Sequence, residues 1–232
     1  MTAIGMRTAL LLLTLASAAR AGGLEGFEGA LGSGSDGGSF AAEAVELFLR
    51  VAEAASGATR DYAAARPRGM PLVPLLRLDA AYQLIPPDID ALSGRLELGR
   101  GPLAAAYERV HFQEREPRDR LSGWRAEALW RLAPGDGLRL DGAAGFMGFR
   151  REEDHSGACA GFSIGAYPRR AVGYEADLRW GSIGDATVSD FRGRLYLSPR
   201  SWRGFALRPG YRGIRTGDAT LHGPELTLSY TW

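Results

Sequence analysis

From about Val73 to the C-terminus, apolar and polar residues alternate with a period of two. The segments LLRLDAAYQL, ALSGRLELG, GWRAEALWRL, GLRLDGAAGF, VGYEADLRW, DFRGRLYLS and ELTLSYTW all carry it. Successive side chains of a strand point to opposite faces, so this period predicts strands with one apolar and one polar face. Between them lie IPPDID, GRGP, QEREPRDR, APGDG, RREEDHSG, YPRR, SIGDAT, SPRSWRG and RTGDATLHG. These clusters of Pro, Gly, Asp and Arg are turn-forming. The spacing predicts an all-β domain over residues 73–232, with about eight to ten antiparallel strands in a sandwich or a barrel. The connections after even-numbered strands are compact, whereas several after odd-numbered strands are longer and more polar. That asymmetry predicts an up-and-down barrel with short turns at one end and longer loops at the other.

The two strand faces segregate sharply. One carries Leu76, Leu78, Ala80 and Tyr82; Leu92, Leu96 and Leu98; Trp124, Ala126, Ala128 and Trp130; Val172, Tyr174, Ala176, Leu178 and Trp180; and Phe205, Leu207 and Tyr211. The other carries Arg77 and Asp79, Arg95 and Glu97, Arg125 and Glu127, and Arg139 and Asp141. It continues through Glu175, Asp177 and Arg179, then Asp190, Arg192 and Arg194, then Arg208 and Arg212. A water-soluble secreted sandwich or lipocalin-like barrel would bury the apolar face and wet the charged one, and alternation alone allows that. Two features favour the inverse. Tyr82, Trp124, Trp130, Trp180, Phe205 and Trp232 gather toward strand ends, as interfacial girdles do. Small residues, among them Gly142, Ala143, Ala144, Gly145, Gly148, Gly161 and Gly165, stand where a core would need bulk.

Upstream the period changes. In FAAEAVELFLRVAEAA, Phe40, Ala44, Leu47, Phe48, Val51 and Ala55 fall on one helical stripe, with Ser39 as a candidate N-cap and Gly57 as the stop. A helix over 40–56, within a helical segment spanning 40–68, is expected to dock on the rest of the chain, on a periplasmic partner or on the membrane surface. Residues 22–39, GGLEGFEGALGSGSDGGS, read as a flexible linker by composition. Before it, MTAIGMRTALLLLTLASAARAGG offers a positive Arg7, an apolar run Ala9–Leu15 and the small-x-small pattern Ala19-Arg20-Ala21. This is the form of a secretory signal peptide over 1–21.

Composition adds exclusions. A formal net charge of +1 gives no electrostatic footprint for nucleic acid. All 28 basic residues are arginine, so every cation is a planar guanidinium suited to bidentate pairing with carboxylates. Glycine is abundant but aperiodic, which excludes collagen and solenoids. The lone Cys159 cannot form an intrachain disulfide.

The chain closes on PELTLSYTW, in which Leu226, Leu228, Tyr230 and Trp232 alternate with polar residues and an aromatic stands last. This strand resembles the C-terminal assembly signal of Gram-negative outer-membrane β-barrels, with Gly223 as the small residue upstream. Tryptophan replaces the phenylalanine that is commoner in the family. The resemblance implies a transmembrane barrel over roughly the last two thirds of the chain and an outer-membrane location in place of a periplasmic or secreted one. It also implies recognition of the last strand by the barrel-assembly machinery, and lipid and lipopolysaccharide as surroundings. Longer loops would face outward from the cell, and the helix and tight turns the periplasm.

A barrel of about eight to ten strands is narrow enough for side chains to fill it. The Arg-x-Asp/Glu pairs place opposite charges on one face, so the expected interior is a charge-paired, largely filled lumen. A structural or surface-interaction role follows. A narrow anion path along Arg192, Arg194, Arg208 and Arg212 is the alternative. Asp88 and Asp90 in PPDID, with Asp154 and His155 in REEDHSG, raise a rim-located hydrolase as a further alternative. Asp154 and His155 are adjacent here, whereas outer-membrane proteases separate the corresponding pair by one residue. His111, His155 and His222 show no metal-ligand spacing, and no glycine loop precedes a helix, so neither metal nor nucleotide cofactor is expected.

Overall fold

The computed structural model describes residues 24–31 and 74–232, except 116, 117, 136, 152 and 170. A short helix, α1 (Leu24–Leu31), precedes ten strands. These are β1 (Leu76–Ile85), β2 (Ile89–Arg100), β3 (Leu103–Glu114), β4 (Asp119–Gly135) and β5 (Leu138–Arg150), then β6 (Asp154–Arg169), β7 (Val172–Ile183), β8 (Ala186–Leu197), β9 (Phe205–Thr216) and β10 (Ala219–Thr231). Each pairs antiparallel with its sequence neighbours, and β1 pairs with β10, so the sheet closes into an up-and-down barrel. Closure leaves no free sheet edge.

The seam runs from Arg77 opposite Thr231 to Gln83 opposite Glu225. At its end the Trp232 carbonyl accepts the Leu75 and Leu76 amides, and the Trp232 amide donates to the Leu76 carbonyl. Gly223 faces inward at this seam. A Cβ there would fall on the Leu84 carbonyl oxygen of β1, so the close approach that shuts the barrel requires glycine.

An even strand number places the start of β1 and the end of β10 at one end, here the proximal end. The connections do not follow the expected short-and-long asymmetry. At the distal end, β1–β2 is joined by 86–88, β3–β4 by 115–118, β5–β6 by 151–153, β7–β8 by 184–185 and β9–β10 by 217–218. The longest connection, 198–204 with its 3-10 turn Arg200–Trp202, lies at the proximal end. Strand takes in Gln113, Glu114, Asp119 and Arg120 of QEREPRDR, and Arg150 and residues 154–157 of RREEDHSG, so these residues extend the hairpins.

Side-chain exposure sorts by parity. Leu78, Tyr82, Leu92, Leu98, Phe146, Tyr174, Leu226, Leu228 and Trp232 stand exposed on the outer wall. Arg77, Asp79, Glu97, Arg125, Glu127, Arg139, Asp141, Arg179, Arg208 and Arg212 are buried inside. Within the stretch read as a linker, Leu24–Leu31 is helical: Leu24, Phe27 and Leu31, spaced to share a face, are all buried in the barrel. Glycine-rich composition masks this spacing. The signal peptide over 1–21 and the helical segment over 40–68 lie outside the described residues.

Candidate functional site

The interior is filled in three tiers, each set by which residues alternate inward at that height. At the proximal end, Tyr167 of β6 meets Tyr196 of β8 edge to face at 5.3 Å, and the Arg208 guanidinium lies 5.3 Å from the Tyr196 ring. Arg131 of β4, fully buried, donates to the Pro74 carbonyl and pairs with Glu97 at 3.0 Å. Tyr167 donates to Glu175 at 2.7 Å, tying the aromatic tier to the charged one.

The middle tier is a belt of ion pairs. Glu108 of β3 is its hub, with Arg125 and Arg192 at 2.7 Å, Arg212 at 3.1 Å and Arg95 at 3.5 Å. Asp190 takes Arg212 at 2.8 Å and Arg125 at 2.9 Å. Glu127 takes Arg179 at 2.7 Å, Arg125 at 3.3 Å and Arg95 at 3.4 Å. Toward the proximal tier, Asp79 is held by Arg77 and Arg208, Glu97 by Arg131 and Arg139, Asp141 by Arg139, Asp177 by Arg194, and Glu175 by Arg208, Arg194 and Arg77. Glu225 of the terminal strand pairs with Arg192 at 3.2 Å. Each charge here is stable out of bulk water only because at least one opposite charge, and at the hubs several, stands against it.

All of Arg77, Asp79, Arg95, Glu97, Arg125, Glu127, Arg139, Asp141, Glu175, Asp177, Arg179, Asp190, Arg192, Arg194, Arg208 and Arg212 are placed in this belt. Sequence reading misses Glu108, Arg131 and Glu225. Parity with Arg125 and Glu127 marks Arg131, and parity with Thr227 and Ser229 marks Glu225. Glu108 follows three alanines that blur the faces of β3. The four arginines of the candidate anion path are not bare: Arg192 and Arg212 share Glu108, while Arg194 and Arg208 share Glu175. A space lined by Arg77, Arg139, Glu175 and Arg194 among others is about 20 Å³, room for about one water.

The distal tier is apolar. Ile85, Ile89, Val110, Phe112, Leu121, Met147, Phe149, Ile183, Val188, Ile214 and Leu221 form a cup around Leu24, Phe27 and Leu31 of α1. Phe27 packs edge to face on Phe149 at 5.4 Å, and the Leu24 amide donates to the Glu114 carboxylate at 3.1 Å. An apolar cup at a barrel mouth needs a cover, and α1 supplies it.

The residues of the candidate hydrolase are set apart. Asp88 lies in the β1–β2 turn, and Asp90 on β2 accepts from Tyr82 at 2.8 Å and from Arg115 at 2.6 Å. His155 lies on β6, with β3, β4 and β5 intervening, and Glu153 stands 3.9 Å from it. On the outer wall, His111 hydrogen-bonds Ser122 at 2.9 Å, and His222 hydrogen-bonds Tyr211. Among the described residues, no group of three or more His, Cys, Asp or Glu is arranged to hold a metal ion.

No protein-family model matches the chain. No curated protein matches it either.

Proposed function

We propose that the chain is an outer-membrane-type transmembrane β-barrel with a sealed lumen, acting as a structural or surface-interaction element of the membrane. The observation that carries this reading is the inversion of a soluble core: leucine and aromatic side chains outside, ion pairs inside. In water such an outer wall would be an extended apolar patch far larger than a monomer tolerates. On β1 the outward residues Leu76, Leu78, Ala80, Tyr82 and Leu84 form an unbroken run. That run is roughly 27 Å along the strand, or about 20 Å of height at a typical barrel tilt, close to the roughly 25 Å apolar band of membrane barrels. The strands are 10 to 17 residues long, enough to cross.

The N-terminal signal pattern and the terminal strand support export and assembly. With β1 as its seam partner, β10 presents Leu226, Leu228 and Tyr230 outward, with Trp232 just beyond its end, where the barrel-assembly machinery would meet them. The paired belt and the seated helix favour a closed lumen over a pore.

Fractionation combined with detergent-gel mobility tests the reading. The protein should sediment with the outer membrane and migrate faster unboiled than boiled. Recovery as soluble periplasmic protein would overturn it.

A further inference from the structure

Not every arginine is paired. On adjacent strands of the outer wall, Arg109 of β3, Arg120 of β4 and Arg150 of β5 are exposed, and none of the three side chains has a hydrogen-bond or ion-pair partner among the described residues. The contrast with the belt is informative, because this chain supplies carboxylates wherever an arginine points inward. We infer that these three arginines form a binding patch for the phosphate of an anionic lipid headgroup; the inference rests on the transmembrane reading above.

Register brings them together. His111 stands opposite Ser122, and Ser122 opposite Arg150, in one row across β3, β4 and β5. Arg120, opposite Gln113, lies one outward position toward the distal rim, and Arg109, opposite Trp124, one toward the centre. The cations therefore bracket a hydrogen-bonding centre, the His111–Ser122 pair. Below them on the same strands Tyr107, Ala126, Ala128 and Phe146 continue the apolar wall. A lipid lying there would set its acyl chains on that wall and its phosphate among guanidinium groups, which bind phosphate oxygens bidentately. Arginine stems reach from apolar depth to the headgroup level, which fits Arg109.

Most carboxylates of the same rim are engaged elsewhere: Asp119 pairs with Arg151 at 2.7 Å, Glu114 accepts from the Leu24 amide, and Glu153 lies 3.9 Å from His155. Asp90 is already engaged by Tyr82 and Arg115, and Asp154 stands opposite Arg150 on β6 without an ion pair. Elsewhere the distal wall presents Ser182, Thr187 and Ser189, while Arg215 turns back to the Gly217 carbonyl of its own hairpin. Along the distal wall, the unpaired positive charge is concentrated on one side.

Native mass spectrometry of the full-length mature protein, offered phosphatidylglycerol and phosphatidylcholine in equal amounts, reads the preference. The wild type should retain phosphatidylglycerol about fivefold or more over phosphatidylcholine, weakening with salt. The triple variant R109Q/R120Q/R150Q should fall to parity while keeping its heat-dependent gel mobility, and R100Q, at the proximal end, should behave as wild type. Equal preference in wild type and triple variant would overturn the patch, as would displacement of the lipid by free glycerol phosphate at matched concentration. A protein that inserts into neutral vesicles yet shows no preference refutes the patch alone. Failure to insert at all refutes the membrane reading and the patch with it.

Discussion

The belt and the cup fill the same lumen by opposite means. The belt uses groups that water would solvate well, and holds them only by setting opposite charges against each one, several at its hub: Glu108 meets Arg95, Arg125, Arg192 and Arg212. The cup uses groups that water rejects, and holds them by covering them with Leu24, Phe27 and Leu31. Loss of one belt member strands a buried charge, whereas loss of one cup member leaves a void or lets the helix lift. The two tiers should therefore fail differently, the belt in stability and the cup in access.

The sharpest break of the comparison is Glu108→Ala. With four arginines left facing one another, the loss should be about 3–5 kcal/mol in denaturant unfolding of the refolded barrel. A loss under about 1 kcal/mol would mean that water already screens the belt. Phe27→Ala comes next, at up to about 3 kcal/mol. Its distinguishing signature is access, because Cys159, the single cysteine, belongs to the buried cluster that α1 covers. Alkylation of Cys159 by a water-soluble maleimide should accelerate by about tenfold or more in this variant and stay slow in the wild type. Gly223→Val strikes the boundary of the two tiers, between Leu221 in the cup and Glu225 in the belt. Its clash with the Leu84 carbonyl should cost about 1–3 kcal/mol and slow the appearance of the fast-migrating folded band. Tyr82→Phe touches neither tier and removes only the outer hydrogen bond to Asp90. It sets the baseline at about 1 kcal/mol or less.

The belt was legible in the sequence because strand parity is rigid. Once Arg77 and Asp79 face inward, so must Arg95 and Glu97 across the β1–β2 ladder. The barrel and a range of about eight to ten strands were legible from the turn clusters that cut the alternation, and the ten strands observed fall within that range. The cup was not. Its wall residues, such as Ile85, Val110 and Phe149, follow the same inward parity as the charges, but parity does not tell at what height a lumen turns apolar. Its cover comes from a segment far away in sequence, where Gly26 and Gly29 dilute a three-residue apolar stripe. An eight-residue helix is marginal alone, so its existence depends on the cup that receives it. Connection lengths were misleading because polar residues near a hairpin tip look the same whether they belong to a loop or to a strand projecting beyond the apolar band.

The tryptophans offer the most direct test that the apolar wall meets lipid. Trp124, Trp130, Trp180 and Trp232 occupy outward strand positions or the terminus, and Trp202 lies in the proximal β8–β9 connection, so none is in the lumen. The measurement is fluorescence quenching of the protein refolded into vesicles whose acyl chains carry bromine, with iodide in the water as the opposing quencher. The account predicts strong quenching by the brominated chains and weak quenching by iodide. Efficient iodide quenching with no response to brominated lipid would contradict it.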